Sequence, residues 1–142
     1  AWATAGAFVL AGLGAAEVVW RAPHYLSFFN LIAGGPAGGI EWLDDSSIDW
    51  GQDLIALERI QREERIPRLA LHYFGSADPA AYGVRFRPMQ PEELTRPRPG
   101  PTYAISLHFL NRIGRPRNGP GDWLRRYKPW RIAGTSIYLY RF

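Results

Sequence analysis

The sequence predicts an α/β fold, a small mixed sheet with flanking helices, preceded by the end of a transmembrane helix. Two observations carry this prediction. The chain opens with an uncharged apolar run, and the segments after it alternate between β-rich and helical patterns. The length of 142 residues suits one domain, and the apolar content of 46% is ample for a packed core.

The opening run is the candidate membrane helix. Residues 1–16 carry no charge, Glu17 interrupts the run, and Trp20 and Arg21 follow as residues typical of a membrane interface. A complete span needs about 20 apolar residues, and the many Ala and Gly residues suit close packing between helices. We expect 1–22 to be the end of a C-terminal transmembrane helix and 23–142 to be a soluble domain. A buried helix of a soluble protein is one alternative. A signal peptide is another, and it fits poorly because no positively charged region precedes the apolar run.

The domain's elements follow from periodicity and turn residues. Trp50, Leu54 and Leu57 recur at helical spacing, with Asp49 as a candidate N-cap and Gln52 completing a capping box. Pro and Gly residues divide the remainder. The other predicted elements are a helix over 24–33, strands over 40–43 and 68–74, a helical turn at 78–81, a loop or lid over 85–101, a β-rich run over 102–110, a loop over 112–121, a helix from Asp122 and a final strand over 131–142.

The charge pattern limits the classes of partner that the chain is expected to bind. The formal charge is +4, and nearly all basic residues are arginines. Such a surface attracts anions, lipid headgroups included, although a solvated arginine surface is the simpler interpretation. No basic recognition helix or RNA-binding signature accompanies the charge, so we expect no nucleic-acid partner. The absence of cysteine excludes disulfides, thiolate metal sites and a cysteine nucleophile.

The segment DSSIDWGQD concentrates the candidate site residues. Its carboxylates fit no calcium-binding loop, but Asp45 follows a predicted strand and precedes a helix, where sites of α/β proteins commonly lie. Trp50 offers a ring face and Gln52 an amide for a sugar, although the helical register of Trp50 favours the core. The candidate substrate-binding residues are Asp45, Ser46, Asp49, Trp50, Gln52 and Asp53. No catalytic residue, metal ligand or cofactor is predicted, and His72 and His108 are expected to be structural residues in strands.

Three groups of residues resemble a known family. Phe29-Asn30, Gly34-Gly35-Pro36 and Gly39 resemble an FN…GGP…G motif; 45–53 resembles DSN-x-DWGQD, with Ser47 in place of Asn; and 73–83 resembles YFG-x-ADP-xx-YG. Together they resemble the C-terminal region of bacterial polytopic membrane glycosyltransferases of the protein-mannosyltransferase type, family 39-like and of the GT-C class.

The resemblance implies an accessory domain of an enzyme that transfers a sugar from a polyprenyl-phosphate-linked donor. It places the catalytic carboxylates in an upstream loop, outside this chain, and the domain on the extracytoplasmic side of the bacterial cell membrane. The implied partners are membrane lipid, the lipid-linked donor, a glycan or protein acceptor, and an upstream transmembrane domain. The alternative is a membrane-anchored, non-enzymatic module that binds glycan or anionic lipid.

Overall fold

The computed structural model describes residues 2–20, 22, 25, 34–35, 49–113 and 127–142. The elements in chain order are α1 (Trp2–Trp20), α2 (Leu54–Glu63), β1 (Leu69–His72), a 3-10 turn (Pro79–Tyr82), β2 (Phe86–Pro88), α3 (Pro91–Thr95), β3 (Thr102–Ser106), α4 (Leu107–Ile113), β4 (Arg131–Ala133) and β5 (Ile137–Tyr140). The predicted helix over 24–33, the strand over 40–43 and the helix from Asp122 lie outside the described residues, apart from single positions.

The described strands form one mixed sheet in the order β2-β1-β3-β5-β4. β2, β1 and β3 run parallel, whereas β5 pairs antiparallel with both β3 and β4. The carboxyl ends of β1 and β3 therefore lie at one edge of the sheet, together with the amino end of β5. The sequence prediction of a small mixed sheet with flanking helices is confirmed.

Helices cover both faces of this sheet. Leu54, Leu57 and Ile60 are the buried apolar residues of α2, and they pack against one face. On the other face Tyr103 and Ile105 pack with residues of α3 and α4. The domain therefore has three layers, and burial of the apolar stripe on α2 gives that helix its position.

Several predicted elements differ from the observed ones. The β-rich run over 102–110 is strand only as far as Ser106, and α4 begins at once. The final strand is a hairpin, because Gly134 adopts a left-handed φ of 57° between β4 and β5. The turn at 78–81 is confirmed: the Asp78 carboxylate accepts a hydrogen bond of 3.0 Å from the Ala80 N–H.

The predicted loop or lid over 85–101 is wrong, because the segment contains β2 and α3. Arg87 and the buried Glu93 form a bidentate ion pair, with oxygen–nitrogen distances of 2.6 and 2.7 Å. The Tyr103 hydroxyl bonds both Glu93 and the backbone of Arg98. This network fixes the arginine–proline segment on the sheet, and the hydrogen bonds from Arg87 lower the pKa of Glu93 to about 2.

Helix α1 is long and apolar enough to cross a membrane. None of its residues is buried, and large side chains such as Trp2, Phe8 and Leu10 are strongly exposed. Its apolar residues surround the helix instead of forming the single apolar stripe of a helix that packs on the surface of a domain.

Candidate functional site

Residues 49–53, the DWGQD part of the motif, lie at the edge where β1 and β3 end. Tyr73, which follows β1, donates a hydrogen bond of 2.9 Å from its hydroxyl to the Gly51 carbonyl. His108, in the first turn of α4, donates its backbone N–H to Asp49 at 3.2 Å. The carboxyl edge of parallel strands is the usual position for sites in open α/β sheets.

Asp49 does not cap the helix, contrary to the sequence prediction, because α2 begins only at Leu54. Its side chain is 1% exposed and accepts hydrogen bonds from the N–H groups of Gly51 and His108. Burial raises the pKa of Asp49, and these bonds, together with those of Ser106 and Ser136, oppose the rise. Donors from distant segments therefore replace the helix N-terminus as partners of this carboxylate.

Asp53 occupies the N-cap position of α2, yet its side chain makes no capping bond. One carboxylate oxygen accepts the backbone N–H groups of Thr135 and Ser136, at 2.8 and 2.9 Å, and both of their hydroxyls. The β4–β5 turn approaches so closely that a Cβ on Gly134 would overlap this carboxylate. Asp53 thus fastens the final hairpin to the start of α2.

Trp50 is exposed, so the interpretation of this residue as part of the core is wrong. It precedes α2 and does not share the helical register of Leu54 and Leu57. The Gln52 side-chain oxygen accepts a hydrogen bond of 2.8 Å from the backbone N–H of Trp50, and Gly51 follows with a left-handed φ of 75°. These contacts direct the Trp50 ring outward, with 57% of the residue exposed.

The Trp50 depression is an open hollow of about 450 Å³ lined by Trp50, Tyr73, Phe74, Gly75 and Ser76. Residues beneath the depression hold its aromatic wall in position. The Phe74 ring stacks on His108 with centroids 3.8 Å apart, and the Phe74 N–H donates to the Ser106 hydroxyl at 3.0 Å. An aromatic wall with backbone polar groups beside it suits a ligand with one apolar face and several hydroxyls, such as a sugar ring.

His108 packs directly on this wall, and His72 is linked to it through Phe109, whose ring meets Phe74 edge-on with centroids 6.3 Å apart. His72 lies in β1 as predicted, and its ring packs on Phe109 with centroids 3.7 Å apart. Burial lowers the pKa of His72, which favours the neutral ring. His108 lies in a helix and not in a strand, which corrects the prediction. Among the described residues, no group of three or more acidic, histidine or cysteine side chains could hold a metal ion.

The structure brings together four of the six predicted site residues, namely Asp49, Trp50, Gln52 and Asp53. Asp45 and Ser46 lie outside the described residues, so their role stays a prediction. Sequence reasoning missed the partners that arrive from later segments: Tyr73, Phe74, Ser106, His108, Thr135 and Ser136. Tyr73 and Phe74 were visible as part of the YFG motif, but no local pattern distinguishes the other four.

The described geometry defines a small α/β domain with a polar segment fixed at the carboxyl edge of its parallel strands. No family model, curated protein or solved structure matches the chain. A more specific assignment therefore depends on the motifs themselves and on how they meet in space.

Proposed function

We propose that the chain is the accessory, extracytoplasmic domain of a bacterial membrane glycosyltransferase that uses a polyprenyl-phosphate-linked sugar. The observation that carries the proposal is the meeting of two motif segments. DWGQD and YFG are 22 residues apart in the chain, counted from Gly51 to Tyr73, and these two residues join by a hydrogen bond of 2.9 Å. Residues of two of the three motif segments, Trp50 from DWGQD and Tyr73, Phe74 and Gly75 from YFG, therefore line a single depression.

Within this proposal the motif residues have two different roles. Trp50 and Gln52 are the proposed saccharide contacts: the Trp50 ring is exposed in the depression, and the Gln52 side chain accepts the backbone N–H of Trp50. Asp49 and Asp53 are positioning residues, since both are buried and their carboxylates are engaged by backbone and hydroxyl donors. We assign no catalytic residue to this chain; the transfer step belongs to the carboxylates that the resemblance places upstream.

The exposed apolar helix α1 supports the membrane part of the proposal. A domain attached to such a helix stays within reach of a lipid-linked sugar, because the tether replaces a search through solution by a local encounter. A membrane-anchored module without enzymatic activity would share this helix. Activity measurements on the complete membrane protein distinguish the two.

The test uses membranes that contain the full-length protein and a panel of polyprenyl-phosphate-linked mannose, glucose and galactose, each radiolabelled. We expect loss of label from one lipid donor, which membranes without the protein do not produce. Trp50→Ala should reduce the rate roughly tenfold, the equivalent of one aromatic contact of about 1.4 kcal/mol. Trp50→Phe should retain most of the rate.

The matched control is Ile55→Ala, which removes an apolar side chain that is 69% exposed on α2 and lies outside the depression. Its rate should equal that of the wild type. Saccharide binding without consumption of any donor would favour the non-enzymatic module, and a Trp50→Ala rate equal to wild type would remove the depression from the proposal.

A further inference from the structure

Exposed arginines line the sheet edge opposite the Trp50 depression. Arg68 and Arg85 precede the parallel strands β1 and β2, whose first residues, Leu69 and Phe86, pair with each other. β5 runs in the opposite direction, so Arg141 follows its last residue at this edge, and Arg131 begins β4 there. We name these four residues, Arg68, Arg85, Arg131 and Arg141, the arginine edge.

The arginine edge keeps a positive excess. Its nearby carboxylates, Glu63 and Glu64 at the end of α2, pair with Arg131 and Arg141 at distances of 3.1 to 3.8 Å. Arg65, which follows the helix, is exposed and adds a further positive charge. Among the described residues, the salt bridges of the arginine edge involve two carboxylates, against the four guanidinium groups of the edge and that of the adjacent Arg65.

The backbone beneath the arginine edge is held in place. The buried Gln61 amide donates to the Arg85 carbonyl at 2.7 Å and accepts the Arg85 N–H at 2.8 Å. The Arg68 guanidinium donates to the Phe86 carbonyl at 3.1 Å, next to the same strand. The positions from which these cations extend are consequently fixed by the fold.

Two amphipathic rings lie near these cations. The Arg141 guanidinium lies over Trp130, 3.5 Å from the ring centroid. Tyr127, which is 51% exposed, packs edge-on against Phe142, the residue after Arg141, with centroids 4.9 Å apart. Trp, Tyr and arginine together are the residue types enriched where proteins meet the headgroup layer of a bilayer.

We infer that the arginine edge docks on anionic phospholipid headgroups of the bilayer that holds α1. The inference rests on the membrane location of α1 in the proposed function. The attraction follows from charge complementarity, and the tether keeps the edge near the bilayer so that modest contacts suffice. Docking in this orientation turns the Trp50 depression away from the bilayer, so the saccharide that Trp50 contacts is the acceptor in the aqueous phase and not the lipid-linked donor.

The experiment places the full chain in nanodiscs of phosphatidylcholine alone or with a third of the lipid replaced by phosphatidylglycerol. The chain has no cysteine, so Tyr127→Cys carries one environment-sensitive fluorophore at the arginine edge, and Ser76→Cys carries it at the opposite edge. We expect a blue shift for the label at 127 in the anionic discs only, reversed by high salt, and no shift for the label at 76.

Charge variants supply the matched comparison. Arg85→Gln should lower the ratio of docked to undocked chains about fivefold, the effect of one basic side chain near an anionic surface, and Arg68→Gln should act similarly. Arg59→Gln removes the same charge from an exposed position within α2, one helical turn before Glu63 and outside the arginine edge, and should change the ratio clearly less. An equal effect of Arg59→Gln, or equal shifts in both disc types, would overturn the inference.

The membrane location and the docking fail separately. A chain that does not enter nanodiscs contradicts the proposed function. Co-sedimentation with vesicles of the same two compositions then tests the docking by itself. Binding to anionic vesicles that Arg85→Gln weakens supports the docking, and no binding refutes it. Tighter binding to a duplex oligonucleotide than to anionic vesicles would indicate that the partner of the arginine edge is nucleic acid, and it would also overturn the inference.

Discussion

Asp53 and Ser136 lie 83 residues apart in the chain, yet the Asp53 carboxylate accepts both the N–H and the hydroxyl of Ser136, each at 2.9 Å. The Ser136 hydroxyl also contributes to the surroundings of Asp49, so it lies between the two carboxylates of the DWGQD segment. This residue connects the last hairpin of the sheet to the segment that carries Trp50. The shape of the candidate site therefore depends on contacts formed only when the whole domain has folded.

The first prediction concerns the Asp53 contact. Asp53→Ala should lower the free energy of unfolding by about 3 kcal/mol, because it leaves buried N–H and hydroxyl donors of the β4–β5 turn without an acceptor. Asp53→Asn keeps one oxygen acceptor and should cost about 1 kcal/mol. Urea unfolding of the full chain in detergent, followed by far-UV circular dichroism, measures both. A loss below about 1 kcal/mol for the Ala variant would contradict the role of Asp53 in holding the hairpin.

The second prediction concerns the Asp49 carboxyl. Burial raises its pKa in the folded state above the usual 3.8, so the folded state holds this proton more tightly than the unfolded state. Its contribution to stability is therefore complete below pH 3.8 and is lost as the pH rises through the folded-state value. The melting temperature of the wild type should therefore fall as the pH rises through this value, and Asp49→Asn should not show this fall. A wild-type melting temperature that rises over the same pH range would show that the hydrogen bonds to Gly51 and His108 outweigh burial.

A third prediction uses the opposite shift at Glu93. Its pKa falls from 4.5 to about 2 beside Arg87, so its contribution is present above pH 4.5 and is lost as the pH falls toward 2. Glu93→Gln should remove this acid-sensitive component and lower stability at neutral pH, while Glu92→Gln, an exposed neighbour, should change little. Thermal melts from neutral to acidic pH compare the two. Equal acid sensitivity in wild type and Glu93→Gln would refute the assignment.

The fourth prediction separates two costs of replacing a glycine by alanine: the strain of a left-handed backbone, and the overlap of the added Cβ with neighbouring atoms. Gly51 and Gly83 both have left-handed φ, 75° and 82°. A Cβ at Gly51 would overlap the Tyr73 hydroxyl, whereas at Gly83 the nearest atom is 3.5 Å away, on Glu58. Gly83→Ala should cost about 1 kcal/mol and Gly51→Ala clearly more, about 3 kcal/mol. Adding Tyr73→Phe should recover part of the Gly51→Ala loss but none of the Gly83→Ala loss; equal costs for the two glycines would contradict the packing.

The sequence predicted the elements whose signals are local. Asp78 before Pro79 is an example, because its cap is completed two residues later by Ala80. The mixed sheet also followed from local β-rich runs separated by Pro and Gly. These predictions held because nearby residues in the chain provide the partners.

Predictions failed where distant residues supplied the partners. Asp49 and Gln52 have the spacing of a capping box, but Asp49 bonds to His108, which is 59 residues away, and α2 starts later. The error at Trp50 has the same origin, since its helical register existed only if the helix began at Asp49. The sequence did not predict β2 because this strand forms by pairing with β1, Phe86 opposite Leu69, and a Pro- and Arg-rich composition does not reveal that pairing.

The most direct test of the central claim is hydroxyl-radical oxidation of Trp50 in the full-length protein in membranes, with donor and acceptor present during turnover and again without them. Trp50 is 57% exposed and should oxidise readily in the free protein. We predict a several-fold fall in its oxidation when substrates are present, with no change at the exposed Tyr82, which does not line the depression. Unchanged oxidation of Trp50 while the donor is being consumed would contradict the account.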